Sequence, residues 1–305
     1  MKRISIISVL LFAFGFMLVA QSITITKRYD LSNDTKISGF YPSFNLSGSK
    51  LLFSSDGYNG LSMYDFNTNT VKVISTEAGA GYEPMFGTDD SKIFYRKTSY
   101  VNNRKFDAIE SYNISDSKKT VMLSPKRDVK QARNFHNGFI VTAERKLIKS
   151  TFGKTTRKMP VYVTTQDLKI YLYVNSDFIT LNPLNQAESR YLWVSISPNE
   201  KMILFTAAGK GTFICDLTGK IISSLGYLNA PVWYDDNFVV GMQDKDDGHV
   251  ITASKIVMIS SNGKTKSVIS QANEVAMYPT ASVKASKIAY NTEGGKIKIA
   301  EIAIK

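Results

Sequence analysis

The side chains best suited to catalysis or metal binding are few and lie far apart in the sequence. There are two histidines, His136 and His249, and one cysteine, Cys215. The sequence contains no His-Glu-x-x-His zinc motif, no Gly-x-Ser-x-Gly nucleophile turn and no phosphate-binding loop. From spacing alone we can assemble no catalytic residue set, no metal ligands and no cofactor site.

Two segments could still do chemistry, and each has a plainer interpretation. Residues 243–249 (Gln-Asp-Lys-Asp-Asp-Gly-His) offer oxygen ligands at alternate positions, as calcium requires. However, the segment lacks the spacing and closing glutamate of an EF-hand, so a polar hairpin tip is favoured. Cys215 lies in the strand-like run of residues 212–216, where a small buried side chain is expected rather than a nucleophile.

A short recurring pattern predicts the elements that would position any site. Its clearest copies begin at Pro42, Pro84 and Pro279, and in each copy a lysine eight residues later opens an apolar strand. Seven starts can be recognised at the proline position: Pro42, Pro84, Arg133, Pro160, Trp193, Pro231 and Pro279. Repeats of about 27–50 residues built from short strands are typical of a β-propeller.

The repeat predicts an all-β chain with one propeller domain over residues 21–305. Each unit shows signals for four short strands, so we predict seven four-stranded blades. Six blades are the alternative, because the 27 residues between Arg133 and Pro160 are few for four strands. The last unit lacks a fourth strand, and the alternating residues 23–26 can supply it. This N-terminal strand would close the ring and remove an open sheet edge.

The first 20 residues have the pattern of a secretory signal peptide. Lys2 and Arg3 precede an apolar run that ends in Leu-Val-Ala before Gln21. An uncleaved membrane anchor is the alternative, although the run is short for a span of about 20 residues. We expect cleavage, a periplasmic or secreted location and no transmembrane segment afterwards. Export would also separate the protein from cytoplasmic nucleic acid.

Positive charge is concentrated in one part of the chain. The formal charge is +12, and residues 96–158 hold 16 Lys and Arg against five Asp and Glu. Lys126, Arg127 and Lys130 lie in one predicted connection, on the same face as a hairpin that carries Lys97, Arg104 and Lys105. Such a patch attracts anionic partners, although it can also be a solvated face that aids solubility.

Residues near the repeat starts are expected to meet at one mouth of the central channel. They are Tyr41, Glu83, Arg133, Trp193, Ala230 and Tyr278. Aromatic and charged side chains around a concave surface are typical of ligand sites, and packing between blades is the alternative. We therefore predict a partner-binding surface made of Tyr41, Glu83, Arg133, Trp193 and Tyr278, with Lys126, Arg127 and Lys130 beside it.

The repeat resembles the WD40-like, or PD40, repeat of the TolB-type propellers of bacterial envelopes. Residues 42–50 (Pro-Ser-Phe-Asn-Leu-Ser-Gly-Ser-Lys) and residues 193–201 (Trp-Val-Ser-Ile-Ser-Pro-Asn-Glu-Lys) carry the resemblance. It implies an envelope scaffold that binds a protein or an anionic envelope polymer, and it transfers no site residue, because the shared positions are structural. The alternative is a propeller hydrolase or lyase with a metal site at the central channel.

Overall fold

The computed structural model describes residues 22–35, 37–175 and 177–305. These residues form seven sheets arranged in a ring, which is the seven-bladed β-propeller predicted from the repeat. The predicted signal segment, residues 1–20, lies outside the described residues. No helix among the residues described is both long and apolar enough to cross a membrane.

The strands follow one another along the chain as the repeat predicts. Strand β1 (Ile23–Asp30) belongs to the last blade, and helix α1 (Leu31–Thr35) follows it. Blade 1 contains β2 (Phe40–Phe44), β3 (Lys50–Ser54), β4 (Leu61–Asp65) and β5 (Thr70–Ser75), with a 3₁₀ turn (Asp56–Tyr58) between β3 and β4. Blade 2 contains β6 (Met85–Phe86), β7 (Lys92–Val101), β8 (Arg104–Asn113) and β9 (Lys119–Lys126).

Blade 3 contains β10 (Arg133–Phe135), β11 (Gly138–Ala143) and β12 (Lys146–Thr151). Blade 4 contains β13 (Tyr162–Gln166), β14 (Lys169–Val174) and β15 (Asp177–Leu181). Blade 5 contains β16 (Tyr191–Ile196), β17 (Met202–Ala207), β18 (Gly211–Asp216) and β19 (Ile221–Gly226). Blade 6 contains β20 (Asn229–Trp233), β21 (Phe238–Asp246), β22 (Ile251–Ser260) and β23 (Lys266–Val268). Blade 7 contains β24 (Ala276–Ser282), β25 (Lys287–Thr292), β26 (Ile297–Ile304) and β1.

Five sheets have four strands, whereas the sheets of blades 3 and 4 have three. In blade 4, Val161 donates its backbone N–H to Glu200, in the turn after β16, at 3.2 Å. The carbonyl of Leu168 accepts from Tyr191, the first residue of β16, at 3.2 Å. Strand β13 therefore runs antiparallel to the innermost strand β16 and corresponds to the second strand of the other blades. The short segment between Arg133 and Pro160 is therefore compatible with seven blades. Blade 3 lacks its outer strand, and blade 4 lacks its inner strand.

The N-terminal strand closes the ring, as predicted. Strand β1 pairs antiparallel with β26, with Ile23 opposite Ile304 and Ile25 opposite Ile302. Both isoleucines pack against the core cluster shared by blades 6 and 7. At the end of the ladder, the backbones of Ser22 and Lys305 exchange two hydrogen bonds of 2.9 and 3.0 Å.

The core lies between neighbouring blades, where the apolar residues of the middle strands interlock. All six residues of β11 are buried, as are five of the six in β17. Such burial on both faces is expected for strands sandwiched between two other sheets. Cys215, in β18, has no exposed surface, which confirms the prediction of a small buried side chain.

Candidate functional site

A recurrent backbone feature sets up one mouth of the channel. In five blades a residue near the start of the inner strand has the left-handed conformation: Tyr41 (φ 56°), Glu83 (51°), Trp193 (47°), Ala230 (43°) and Tyr278 (51°). In blades 1, 5, 6 and 7 the strand register shifts at this point, which marks a β-bulge. Bulges redirect a side chain, and their repetition here shows that the blade repeat imposes this orientation.

This feature corrects the alignment of blade 5. The sequence pattern placed Trp193 at the proline position of the repeat, with Lys201 eight residues later. In the structure Trp193 has the bulge conformation of Tyr41, and the buried Val194 takes the proline position. Trp193 is 43 % exposed. It makes no ring-to-ring contact with the mouth tyrosines among the described residues.

Four tyrosines from neighbouring segments form a continuous group at the mouth, which we call the mouth cluster. The rings of Tyr41 and Tyr278, from blades 1 and 7, lie 4.7 Å apart between centroids. Tyr58, in the turn between β3 and β4, stacks on Tyr41 at 4.0 Å. Tyr82, in the connection to blade 2, meets Tyr58 edge-on at 5.1 Å. Tyr82 remains 38 % exposed, so the cluster is open to solvent at this end.

The phenol groups of the mouth cluster are held in the neutral form. Burial raises the pKa of Tyr41, Tyr58 and Tyr278 above the ordinary tyrosine value. The negative charge of Glu83, followed by burial, raises the pKa of Tyr82. Neutral phenols can donate and accept hydrogen bonds while their rings offer apolar faces. This combination of polar tips and apolar faces is suited to binding.

An ion-paired network borders the cluster on the side of blade 2. Arg96 is 4 % exposed, and it contacts Glu83 at 3.2 Å and Asp107 at 3.4 Å. It also donates to the carbonyls of Val129 and Lys130, both at 2.8 Å. The guanidinium lies 5.0 Å from the ring centroid of Tyr82. Burial raises the pKa of Glu83, and the charge of Arg96 opposes this shift.

The remaining sequence-predicted residues lie elsewhere. The guanidinium of Arg133 contacts Glu200 at 2.6 Å in the turn after β16, so this side chain is engaged by blade 5 and not by the mouth cluster. Lys126 pairs with Glu144 at 3.6 Å, and Lys130 pairs with Asp128 at 2.5 Å. An open depression of about 410 Å³ beside them is lined by Arg127, Asp128, Glu144 and Arg145, two cations and two anions. The predicted basic connection is therefore largely compensated.

Sequence reasoning missed Tyr58, Tyr82 and Arg96. Tyr58 and Tyr82 lie in connections, which do not follow the periodicity of the blades, and Arg96 lies within a strand. A signal was present for Tyr58, because a turn after the second strand lies on the face where the inner strand begins. His136 and His249 lie in the turns between β10 and β11 and between β21 and β22. Among the described residues, no group of three or more His, Cys, Asp or Glu could hold a metal ion.

Comparisons with known proteins support the fold. No protein-family model matches the chain, and no curated protein matches it. An oligogalacturonate lyase from Vibrio parahaemolyticus superposes with a TM-score of 0.56 at 10 % identity, over 92 % of this chain and 98 % of the lyase. An oligogalacturonate lyase in complex with manganese gives 0.49 at 13 % identity, over 87 % and 77 % of the chains. TolB from Acinetobacter baumannii gives 0.48 at 16 %, over 87 % and 56 %. At these identities the likeness shows the propeller fold alone.

Proposed function

We propose that this protein is an exported, non-catalytic binding protein of the bacterial envelope, with its ligand site at the mouth cluster. The observation that supports this most strongly is the continuous contact of Tyr278, Tyr41, Tyr58 and Tyr82, from segments of blades 7, 1 and 2. Tyrosine offers a large, rigid contact surface with a polar tip, at a low cost in conformational entropy. Such residues dominate the binding energy of many interfaces.

The charges around the cluster favour recognition over catalysis. The guanidinium of Arg96 is already engaged by two carboxylates and two carbonyls. A general base or nucleophile must be within reach of a substrate and have a suitable pKa, and the neutral phenols do not provide this. The partner we propose is an envelope protein or an anionic envelope polymer. The apolar run of residues 1–20 supports export as a signal peptide.

Alanine substitutions in the mouth cluster test this proposal. Tyr58→Ala and Tyr82→Ala should each weaken partner binding at least tenfold, which is about 1.4 kcal/mol. Binding would be measured by quantitative capture from an envelope extract, followed by titration of the purified partner. Phe178→Ala is the matched control, because Phe178 is 42 % exposed on the outer strand β15. Equal binding by all three variants would place the site elsewhere.

The competing proposal is a lyase that acts at the channel, and the fold likeness to an oligogalacturonate lyase makes it testable. The purified protein would be incubated with oligogalacturonate, with and without manganese. Elimination creates a carbon–carbon double bond next to the carboxylate, which is detected by ultraviolet absorbance. We expect no such product. Product formation that depends on the protein and on manganese would replace the binding proposal with the enzymatic one.

A further inference from the structure

Strand β12 is the third strand of blade 3 and forms the outer edge of its sheet. In the five four-stranded blades, a fourth strand covers the third. The six residues of β12, Lys146–Thr151, all pair with β11 on one side. Among the described residues, no strand pairs with its other side, and no backbone hydrogen bond joins that side to another segment. In an antiparallel strand, alternate residues direct N–H and C=O groups to each side. Half of the backbone groups of β12 are therefore available to a further strand.

The chain itself does not supply this strand. In the five four-stranded blades a fourth strand occupies the corresponding position. After β12, residues 152–161 lead to blade 4 without forming a strand. Phe152 packs on the core between blades 2 and 3, and Met159 packs against the cluster around Tyr162. Blade 3 therefore ends one strand short, between the complete outer strands β9 and β15.

The segment that contains this edge holds charge that the protein does not neutralise. Residues 146–158 contain no acidic residue and five basic residues: Lys146, Lys149, Lys154, Arg157 and Lys158. All five are exposed, and none is ion-paired with any described carboxylate. By contrast, ion pairs hold seven of the other eleven cations of the basic region: Arg96, Lys97, Lys105, Lys126, Lys130, Arg133 and Arg145.

We propose that β12, together with residues 152–158, binds an extended acidic segment of a partner protein, which adds as the fourth strand of blade 3. The backbone groups of β12 would provide ladder hydrogen bonds, as in other cases of β-strand addition. The cations at both ends of β12 would attract the acidic side chains and set the position of the segment. An anionic polysaccharide could satisfy the charges, but it lacks the alternating N–H and C=O groups that complete a ladder. This surface is separate from the mouth cluster.

The test uses a synthetic eight-residue peptide of alternating glutamate and threonine, and the same peptide with N-methyl groups on alternate backbone nitrogens. Binding would be followed by fluorescence anisotropy at low and at physiological salt. N-methylation removes the ladder donors and leaves the charge unchanged, so it should weaken binding at least tenfold. Added salt should also weaken binding, because the contacting charges are exposed.

Charge reversal provides the second comparison. The variant Lys146→Glu, Lys154→Glu, Arg157→Glu and Lys158→Glu should bind the unmodified peptide at least tenfold more weakly. The control variant reverses four exposed lysines on other blades, Lys118→Glu, Lys119→Glu, Lys264→Glu and Lys284→Glu, for the same change in net charge. Tyr58→Ala should bind the peptide normally, which separates this surface from the mouth.

Two results would overturn the proposal. Equal affinity for the N-methylated and unmodified peptides would show that the edge acts only as a charged surface and that no strand is added. Equal peptide binding by the two charge-reversal variants would show that the peptide does not bind at β12. If the first variant fails to fold, the peptide comparison on the unmodified protein still decides the question.

Discussion

Arg96 is the single side chain on which the structure of the mouth most depends. Its guanidinium joins Glu83, Asp107 and the backbone carbonyls of the connection between blades 2 and 3. Arg96→Ala leaves the Asp107 carboxylate and two carbonyls without this partner, so it should lower the free energy of unfolding by about 3–5 kcal/mol. Chemical denaturation measures this change. Arg145→Ala is the control, because the exposed Arg145–Asp167 pair should contribute only about 0–1 kcal/mol.

Glu83 should make the free energy of unfolding depend measurably on pH. Partial burial raises the pKa of Glu83 in the folded protein, although 31 % of its side chain stays exposed and Arg96 opposes the shift. The folded state therefore holds this proton more tightly than the unfolded state, so the contribution of Glu83 to stability falls as the pH rises through that range. Glu83→Gln removes the titration. The stability of the variant relative to the unmodified protein should increase between pH 4 and pH 7, as measured by urea unfolding.

A constant or decreasing difference over this range would contradict the proposed role of Glu83. Asp107→Asn serves as the comparison, since it changes the other carboxylate on Arg96. If both variants show the same trend, the pH dependence belongs to the network as a whole rather than to Glu83.

Cys215 should not react in the native protein. Its side chain is fully buried, and burial raises the pKa of the thiol to about 12. Only the thiolate reacts with a maleimide or a disulfide reagent. At pH 8 the folded protein should remain unlabelled while the denatured protein labels completely, as mass spectrometry would show. Rapid labelling without denaturant would mean that blade 5 opens locally.

Among the individual site residues, the sequence predicted those that follow the repeat. Tyr41 and Tyr278 occupy the same repeat position in adjacent blades, so their contact could be anticipated. Tyr58 and Tyr82 could not be anticipated in the same way, because their connections differ in length from blade to blade. Arg133 was grouped with Tyr41 and Tyr278 only because it lies at the start of a repeat unit. Blade 3 lacks the left-handed start of the inner strand, and Arg133 points to Glu200 instead.

Strand β1 connects the N-terminal segment to the stability of the whole ring. Beyond its ladder with β26, Arg28 donates to the carbonyl of Ile269 at 3.0 Å, and Asp30 pairs with Lys298 at 2.9 Å. Ile23 and Ile25 are partly buried against the core. Full burial of an isoleucine contributes roughly 1.5–3 kcal/mol, so two half-buried side chains contribute about one such unit before the hydrogen bonds are counted.

Deletion of residues 21–30 should therefore cost several kcal/mol, a large part of the roughly 5–15 kcal/mol typical of a domain. The melting temperature of the shortened chain would be compared with that of a chain that begins at Ser22. We expect a large decrease and concentration-dependent association, because β26 becomes an exposed edge. An unchanged melting temperature would show that β1 is dispensable for closure.

The strand composition of blades 3 and 4 was the part of the fold that the sequence left open. The 27 residues from Arg133 to Pro160 fit either a merged unit, giving six blades, or a shortened unit, giving seven. Sequence length alone does not distinguish six blades from seven. A seven-bladed ring also fits this length when one blade lacks its outer strand and the next blade lacks its inner strand. The seven separate sheets decide the number of blades, and the direction of β13, fixed by the contacts of Val161 and Leu168, shows that blade 4 lacks its inner strand.

The described ends of the chain meet and close the ring of the whole molecule. Ser22 and Lys305 are joined by two backbone hydrogen bonds, so a linker of about four residues could connect them as a hairpin turn. New ends can be placed between Gly248 and His249, in the exposed turn of the β21–β22 hairpin. This circular permutant retains every strand pair of the ring, including β1 with β26. Exposed loop tips are the sites where such changes are best tolerated.

The permutant opened at Gly248 should fold and melt within a few degrees of the unpermuted chain. A second permutant, opened between Ile299 and Ala300, is the matched comparison, because both residues are buried in the middle of β26. That opening interrupts the ladders with both β25 and β1, so we expect the second permutant to fail to fold. Circular dichroism and thermal unfolding measure both outcomes. If the Gly248 permutant also fails, the ring depends on the order in which the blades form as well as on their final contacts.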